Sequence, residues 1–221
     1  MIDLTHLFSS QTVKPSYRAS HVLAGLFLLA DHPRGVGRYR LGEALGLGEG
    51  SAKSMFRKLG DAGLIRRAST DARRSGSVLS EEGAALVEDL RRAIPFLVEG
   101  PDFLCEHGEK LCLAPACFVA GAKRAAKGVS GWVDVRDAAL KVGGTGATAL
   151  VVSSRSIRFP DHERALPGDY EESRAFLVEL VERHGLVEGD VLVLGGGPAG
   201  PVARVATVEA TLALLPKLVA W

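Results

Sequence analysis

Long hydrophobic runs are missing from this sequence. The most extended, VLAGLFLLA at 22–30, covers nine residues, far short of the roughly 20 that a bilayer-spanning helix needs. The first residues, MIDLTHLFSSQTVK, lack a cationic segment followed by an apolar one, so no secretory signal is expected, and a cytoplasmic protein with no membrane contact is. No G-x-S-x-G, P-loop or H-E-x-x-H occurs. His6, His21, His32, His107, His162 and His184 are scattered without a nucleophile or a metal-ligand spacing beside them. We expect no enzyme, although triads assembled from distant positions leave no local motif. Cysteine is rare too. Cys105, Cys112 and Cys117 surround His107 as C-x-H-x4-C-x4-C, without the paired C-x2-C knuckle of familiar zinc sites. That spacing favours small buried hydrophobes near a strand, and neither metal nor cofactor is expected.

What is present is enough apolar material for a core, 47% against 24% charged residues, and 221 residues, a length comfortable for two domains of ordinary size. The net charge of +1 hides a split. Residues 1–80 hold 12 Lys and Arg against 6 Asp and Glu, while residues 81–221 hold 15 against 20. Such asymmetry suggests an N-terminal part that meets a polyanion.

The periodicities fit that division. Apolar residues at helical spacing predict helices over 17–31 and from Arg38 to Leu47. The clearest helical face follows at 51–61, where Ala52, Met55, Phe56 and Leu59 fall at i, i+3, i+4 and i+7, with Ser51 as N-cap and Gly63 past the C-terminus. LIRRA (64–68) and SGSVLS (75–80) predict two short strands, and SEEGAALVEDLRRAIPFL a helix capped by Ser80 with Leu86, Leu90, Ile94 and Leu97 inward. Three helices, a two-stranded ribbon and a helix spell a winged helix-turn-helix. Beyond EGPD (99–102) strands alternate with helices: a strand in KLCLAPACFVAG, a short helix from Trp132, a strand in ATALVVSS, and a helix in DYEESRAFLVELVERHG with Asp169 and Glu172 as a capping pair. A strand in DVLVLGGG and a final helix from Pro201 to the C-terminus complete it. This is the pattern of an α/β domain.

The helix at 51–61 carries Ser51, Lys53, Ser54, Arg57 and Lys58 on the side opposite its apolar face. The second helix of a helix-turn-helix lies in the major groove of DNA, which Arg, Lys and Ser can read at base edges and phosphates. Arg66, Arg67, Arg73 and Arg74 on the ribbon would lie along neighbouring phosphates, and Lys14, Tyr17 and Arg18 ahead of the first helix would meet the backbone. A polar helix face is also simply a solvated one, and winged helices serve as protein-docking modules; the charge bias favours DNA.

Two glycine-rich stretches are candidate ligand sites in the second half. In RDAALKVGGTGAT, residues 136–148, Arg136, Asp137 and Lys141 precede Gly143, Gly144 and Thr145. Such a loop brings backbone close to a small anion, though Arg136 and Asp137 also suit a bridge between elements or to a second chain. The stretch around Gly196 and Gly197 satisfies G-x-G-x-x-G after a strand, but no further strand with an acidic end follows to hold a ribose. A tight turn is favoured there over amides opening onto a phosphate.

The segments KPSYRASHVL, GRYRLGEALGLGEGSAKSMFRKLGDAGLI and VLSEEG resemble the DNA-binding half of an archaeal family of winged-helix transcriptional regulators, and VDVRDAALKVGGTGATALVV resembles that family's C-terminal domain of unknown function. The N-terminal half is also similar to the DNA-binding domain fused to some archaeal CTP-dependent riboflavin kinases, whose PGTLN-like kinase signature is missing here. The resemblance implies regulation rather than kinase activity. The expected protein is a multi-domain α/β chain, with a winged helix-turn-helix at 1–98 and an α/β sensor or dimerisation domain at 99–221. Its expected partners are double-stranded DNA, a second copy in a homodimer and a small anionic metabolite. The alternative is a metabolic enzyme whose catalytic α/β domain is fused to an autoregulatory winged helix.

Overall fold

A computed structural model describes residues 1–8, 15–68, 76–105, 111–128, 132–154, 156–160, 166 and 170–220. The chain divides into two compact units, Met1–Leu90 with Lys217–Trp221, and Arg91–Pro216. Helices and strands are mixed, in several sheets.

The first unit opens with β1 (Ile2–Asp3) and α1 (Thr5–Phe8), followed by α2 (Ala19–Ala30), α3 (Arg38–Ala44) and α4 (Glu49–Asp61). Along α2 every residue from Val22 to Leu29 is buried, which is why its sequence is apolar without a polar face. Close approach needs small residues. A side chain on Gly25 would touch Leu45 and Met55, and one on Gly42 of α3 would stand 2.7 Å from Ala52 Cβ of α4. α4 begins at Glu49 with Gly48 as N-cap, so Ser51 falls inside the first turn rather than capping it. Its end is as the sequence suggests: Gly63 has φ +72°, and the Gly63 and Leu64 amides donate to the Gly60 and Leu59 carbonyls, at 2.9 Å each.

Antiparallel β2 (Ile65–Arg67) and β3 (Ser77–Leu79) pair Arg67 with Ser77, and Val36 bridges to Ser77 from the far side. Ser80 accepts from the Gly83 amide at 3.0 Å and caps α5 (Glu81–Arg91). That helix is shorter than expected. Pro95 has no amide to give the Arg91 carbonyl and its ring would clash with it, so α5 stops at Arg91. Leu97 lies instead on β4 (Leu97–Glu99), half-buried. The expected division at 98/99 consequently moves to 90/91, because β4 pairs with the second unit's sheet.

That sheet adds β5 (Ala116–Ala122), β6 (Gly146–Ser153), β7 (Ser156–Arg158) and β8 (Val191–Gly197), in the order β4-β5-β8-β6-β7, with every pairing antiparallel. Strands β5 and β6 both run against β8, so α6 (Trp132–Leu140) is a crossover between two parallel strands with β8 inserted between them, a split β-α-β arrangement. α7 (Glu171–Arg183) precedes β8 and α8 (Gly200–Leu214) follows it. Leu177 and Leu180 of α7 share a cluster with Leu192 and Leu194, while Val135 and Ala139 of α6 and Ala206 and Ala210 of α8 share another with Val191 and Val193. Helices on both faces leave β8 buried throughout, which explains its continuous apolar sequence. Pro216 ends the last helical stretch, so the expected helix to the C-terminus stops at Leu214. Val219–Ala220 forms β9, parallel to β1 in the first unit. Asp169, expected to cap α7, lies outside the described residues.

Candidate functional site

In the first unit the spacing along α4 leaves Gly50, Lys53, Arg57 and Gly60 exposed, successive steps of one helical stripe. Beside it lies a groove of about 610 Å³, bounded by Gly37 and Arg38 at the start of α3, by Lys53, Ser54, Phe56 and Arg57 of α4, and by Arg67, Gly76 and Ser77 of the hairpin. Phe56, expected on the buried face with Met55, is only half-buried and forms part of this groove wall. Arg66 is exposed on β2, with a guanidinium nitrogen 3.4 Å from the Arg67 carbonyl.

The other expected contact residues sit differently. Lys58 is part-buried, and its ammonium donates to the Leu7 carbonyl at 2.9 Å. Tyr17 is buried and its hydroxyl donates to the same carbonyl at 3.0 Å. Burial raises its phenol pKa, against the opposing effects of a hydrogen bond with Ser54 and of Arg57's charge. Ser51 is hydrogen-bonded to Ser16. Tyr17, Ser51 and Lys58 therefore fasten the N-terminal segment to α4 instead of standing free as the sequence reading had them. Arg18 is exposed, and its amide donates to His21 Nδ1 at 3.2 Å. Burial first, and the Arg18 charge second, pull His21 down to about 4. Lys14, Arg73 and Arg74 lie outside the described residues.

Sequence reading missed the start of α3. Arg38, Tyr39 and Arg40 are exposed, Tyr39 to 77%, and Arg38 borders the groove while lying 3.9 Å from Glu49. The signal was the compact GRYR beside a helix start, two cations around an aromatic ring.

In the second unit Arg136 and Thr145 meet at a depression of about 230 Å³, with Cys112, Thr148 and Leu194. Arg136 grips the neighbouring Asp137 through Nε at 3.0 Å and Nη2 at 2.9 Å, both side chains in water. Lys141 is exposed just past α6, and Gly143 takes φ +85° to turn the chain there. Gly144 is buried, its amide donating to the Ala139 carbonyl at 3.0 Å; a side chain there would stand 2.6 Å from Ala206. Gly196 and Gly197 are in β8 and not in a loop before a helix. A Cβ on Gly197 would stand 2.6 Å from the Ala203 amide nitrogen, one on Gly196 2.8 Å from both Thr145 Oγ1 and Cys112 Sγ. At both positions the neighbouring protein atoms occupy the space that a side chain would take.

Cys105, Cys112 and Cys117, close in the sequence, come together in space, with their sulfurs all within 4.8 Å of one another. His107 lies outside the described residues. No helix among the described residues is long and apolar enough to cross a membrane.

Residues 116–214 match the family model of a domain of unknown function, DUF4443. The match begins with the first residue of β5 and ends with the last of α8, so the DUF4443 segment takes in α6, α7 and four of the five strands of the sheet. The chain is also similar in fold to the hypothetical protein PH0730 from Pyrococcus horikoshii OT3, with a TM-score of 0.71 and 23% identity over 91% of this chain and 95% of that one. No curated protein matches.

Proposed function

We propose that the first unit is a winged helix-turn-helix that binds duplex DNA, in a transcriptional regulator whose second unit responds to a small anion or joins two copies. The reading rests on one observation: four cations from three elements, Arg38 on α3, Lys53 and Arg57 on α4 and Arg67 on β2, border one open groove. In this arrangement α4 enters the major groove, whose width of about 12 Å admits a helix, and the hairpin follows the adjoining phosphates. Lys53 and Arg57 stand where base edges would be; Arg38, Tyr39 and Arg66 flank them. The exposed Gly50 lets the helix backbone come near the duplex.

A single short helix reads few base pairs, so a homodimer with half-sites about 34–36 Å apart supplies the remaining specificity. Arg136 and Thr145 at the smaller depression are the residues in the second unit to which an anion would bind.

Fluorescence-anisotropy titrations of random and selected duplexes at several salt concentrations test the proposal. The intact chain is expected to bind with a steep salt dependence. Arg67→Ala should weaken binding on all sequences and reduce the slope of log affinity against log salt by about one, whereas Arg57→Ala should alter which sequences are preferred. Salt-independent binding indifferent to both changes would remove the assignment.

A further inference from the structure

The region around β5 gathers three sulfurs within 4.8 Å of one another. Cys105 follows a 3-10 turn at Asp102–Leu104, and its amide donates to the Asp102 carbonyl at 2.8 Å. The Cys112 amide donates to the Leu104 carbonyl at 3.1 Å, folding that residue back beside the turn. Cys117, the second residue of β5, is held from the other side by the Gly100 amide, 2.9 Å from its carbonyl. All three thiols are free of disulfides, Cys112 and Cys117 buried and Cys105 half-buried. Two glycines make room: a Cβ on Gly196 would stand 2.8 Å from Cys112 Sγ, and one on Gly100 3.3 Å from Cys117 Sγ.

We propose that Cys105, Cys112 and Cys117 form a three-sulfur zinc site, with its fourth position supplied by water from the depression that Cys112 borders. This goes beyond the DNA-binding proposal and does not depend on it. Zinc–sulfur bonds of about 2.3 Å hold sulfurs about 3.8–4.0 Å apart, so a group already confined within 4.8 Å closes on an ion by small side-chain movements. The depression of about 230 Å³ reaches Cys112 and offers an entry path.

A divalent ion that binds the three sulfurs displaces their protons. The balance is one zinc ion and three thiols giving a zinc tris-thiolate of net charge −1 and three released protons. Without an ion, the three thiols would be no more than small apolar packing in the cluster they share with Leu104 and Leu194.

The test uses the full chain, reduced, stripped with chelator and shown by thiol titration to hold three free thiols. Zinc alone and cobalt alone are titrated in. The expected result is one ion per chain, a near-ultraviolet thiolate-to-cobalt charge-transfer band displaced by zinc, and about three protons released per ion near neutral pH. Cys105→Ser, at the half-buried position, should keep its circular dichroism and lose affinity by about 100-fold or more; Cys112→Ser and Cys117→Ala should abolish the band. A folded, reduced chain that shows no band and no proton release overturns the site. So does a folded Cys105→Ser protein that binds zinc as tightly as the parent, even if the two buried-position variants fail to fold.

Discussion

Glycines surround α4 in the first unit and fill the end of β8 in the second, yet the two sets act in opposite ways. Around α4, a side chain added to Gly48, Gly50 or Gly60 would meet nothing within 4 Å. At β8, one added to Gly195 would collide with Thr207 Oγ1 and begin 2.6 Å from that residue's backbone. The first set keeps a cationic helix surface low and open. The second brings a helix onto a strand closely enough for Thr207 Oγ1 to lie 3.3 Å from the carbonyls of both Gly195 and Phe118. A glycine-rich stretch thus says only that something comes close; the surrounding chain decides whether that is solvent and a partner or the protein's own backbone.

Gly195→Ala breaks the comparison most severely. The obstructing atoms are largely helix backbone, which cannot swing aside, so the overpacking cost should reach the upper end of its usual range, about 3 kcal/mol or more. Urea unfolding followed by far-ultraviolet circular dichroism should show a much lower midpoint. A loss below about 1 kcal/mol would mean that α8 is not seated on β8 as described.

Acid should act on the first unit. The Arg18 amide donates to His21 Nδ1, which must then be unprotonated, and the ring's pKa falls from its ordinary 6.5 to about 4. Between these values the unfolded chain holds a proton that the folded one refuses, so stability is complete above about pH 6.5 and is lost as pH falls toward 4. The loss should be on the order of 2 kcal/mol, allowing for the part of the ring that water reaches. His21→Gln, which can still accept from the amide, should remove that component from the stability-versus-pH curve; an unchanged acid slope would show that the ring does not carry it.

Lys58→Met is expected to cost about 1 kcal/mol, through loss of the bond to the Leu7 carbonyl. On the DNA-binding proposal it should leave the salt slope nearly unchanged, in contrast to Arg67→Ala. An equal drop in slope for both would return Lys58 to the contact surface.

The helices and short strands were largely legible in the sequence because their signals are local. Gly63 and Ser80 announced their caps, and the spacing of Ala52, Met55 and Leu59 announced the buried side of α4. Tertiary partners were not legible. Nothing in the order of residues shows that β8 inserts between β5 and β6, so the glycines of β8 read as a tight turn, with an anion site as the alternative, and not as strand. Nor does it show that the first residues fold back on α4, which turns Tyr17 and Lys58 from free polar groups into anchors. The cysteines were legible as small buried groups near a strand, but not the approach of their sulfurs to within 4.8 Å of one another, because spacing measures distance along the chain and not in space.

The smallest effect on stability separates the two kinds of glycine most sharply. Gly50 lies in the first turn of α4, exposed, with nothing within 4 Å of an added side chain. Alanine there should stabilise the helix by up to about 1 kcal/mol, because it loses less backbone entropy on folding and meets no clash. If the open surface serves only solvent, nothing else changes. If α4 enters a major groove, the new methyl group stands beside Lys53 and Arg57 where base edges and phosphates approach, and duplex affinity should fall although the protein has become more stable. Measuring both on one variant separates the outcomes: raised unfolding midpoint with weakened binding supports a contact surface, and raised midpoint with unaltered binding places the duplex elsewhere.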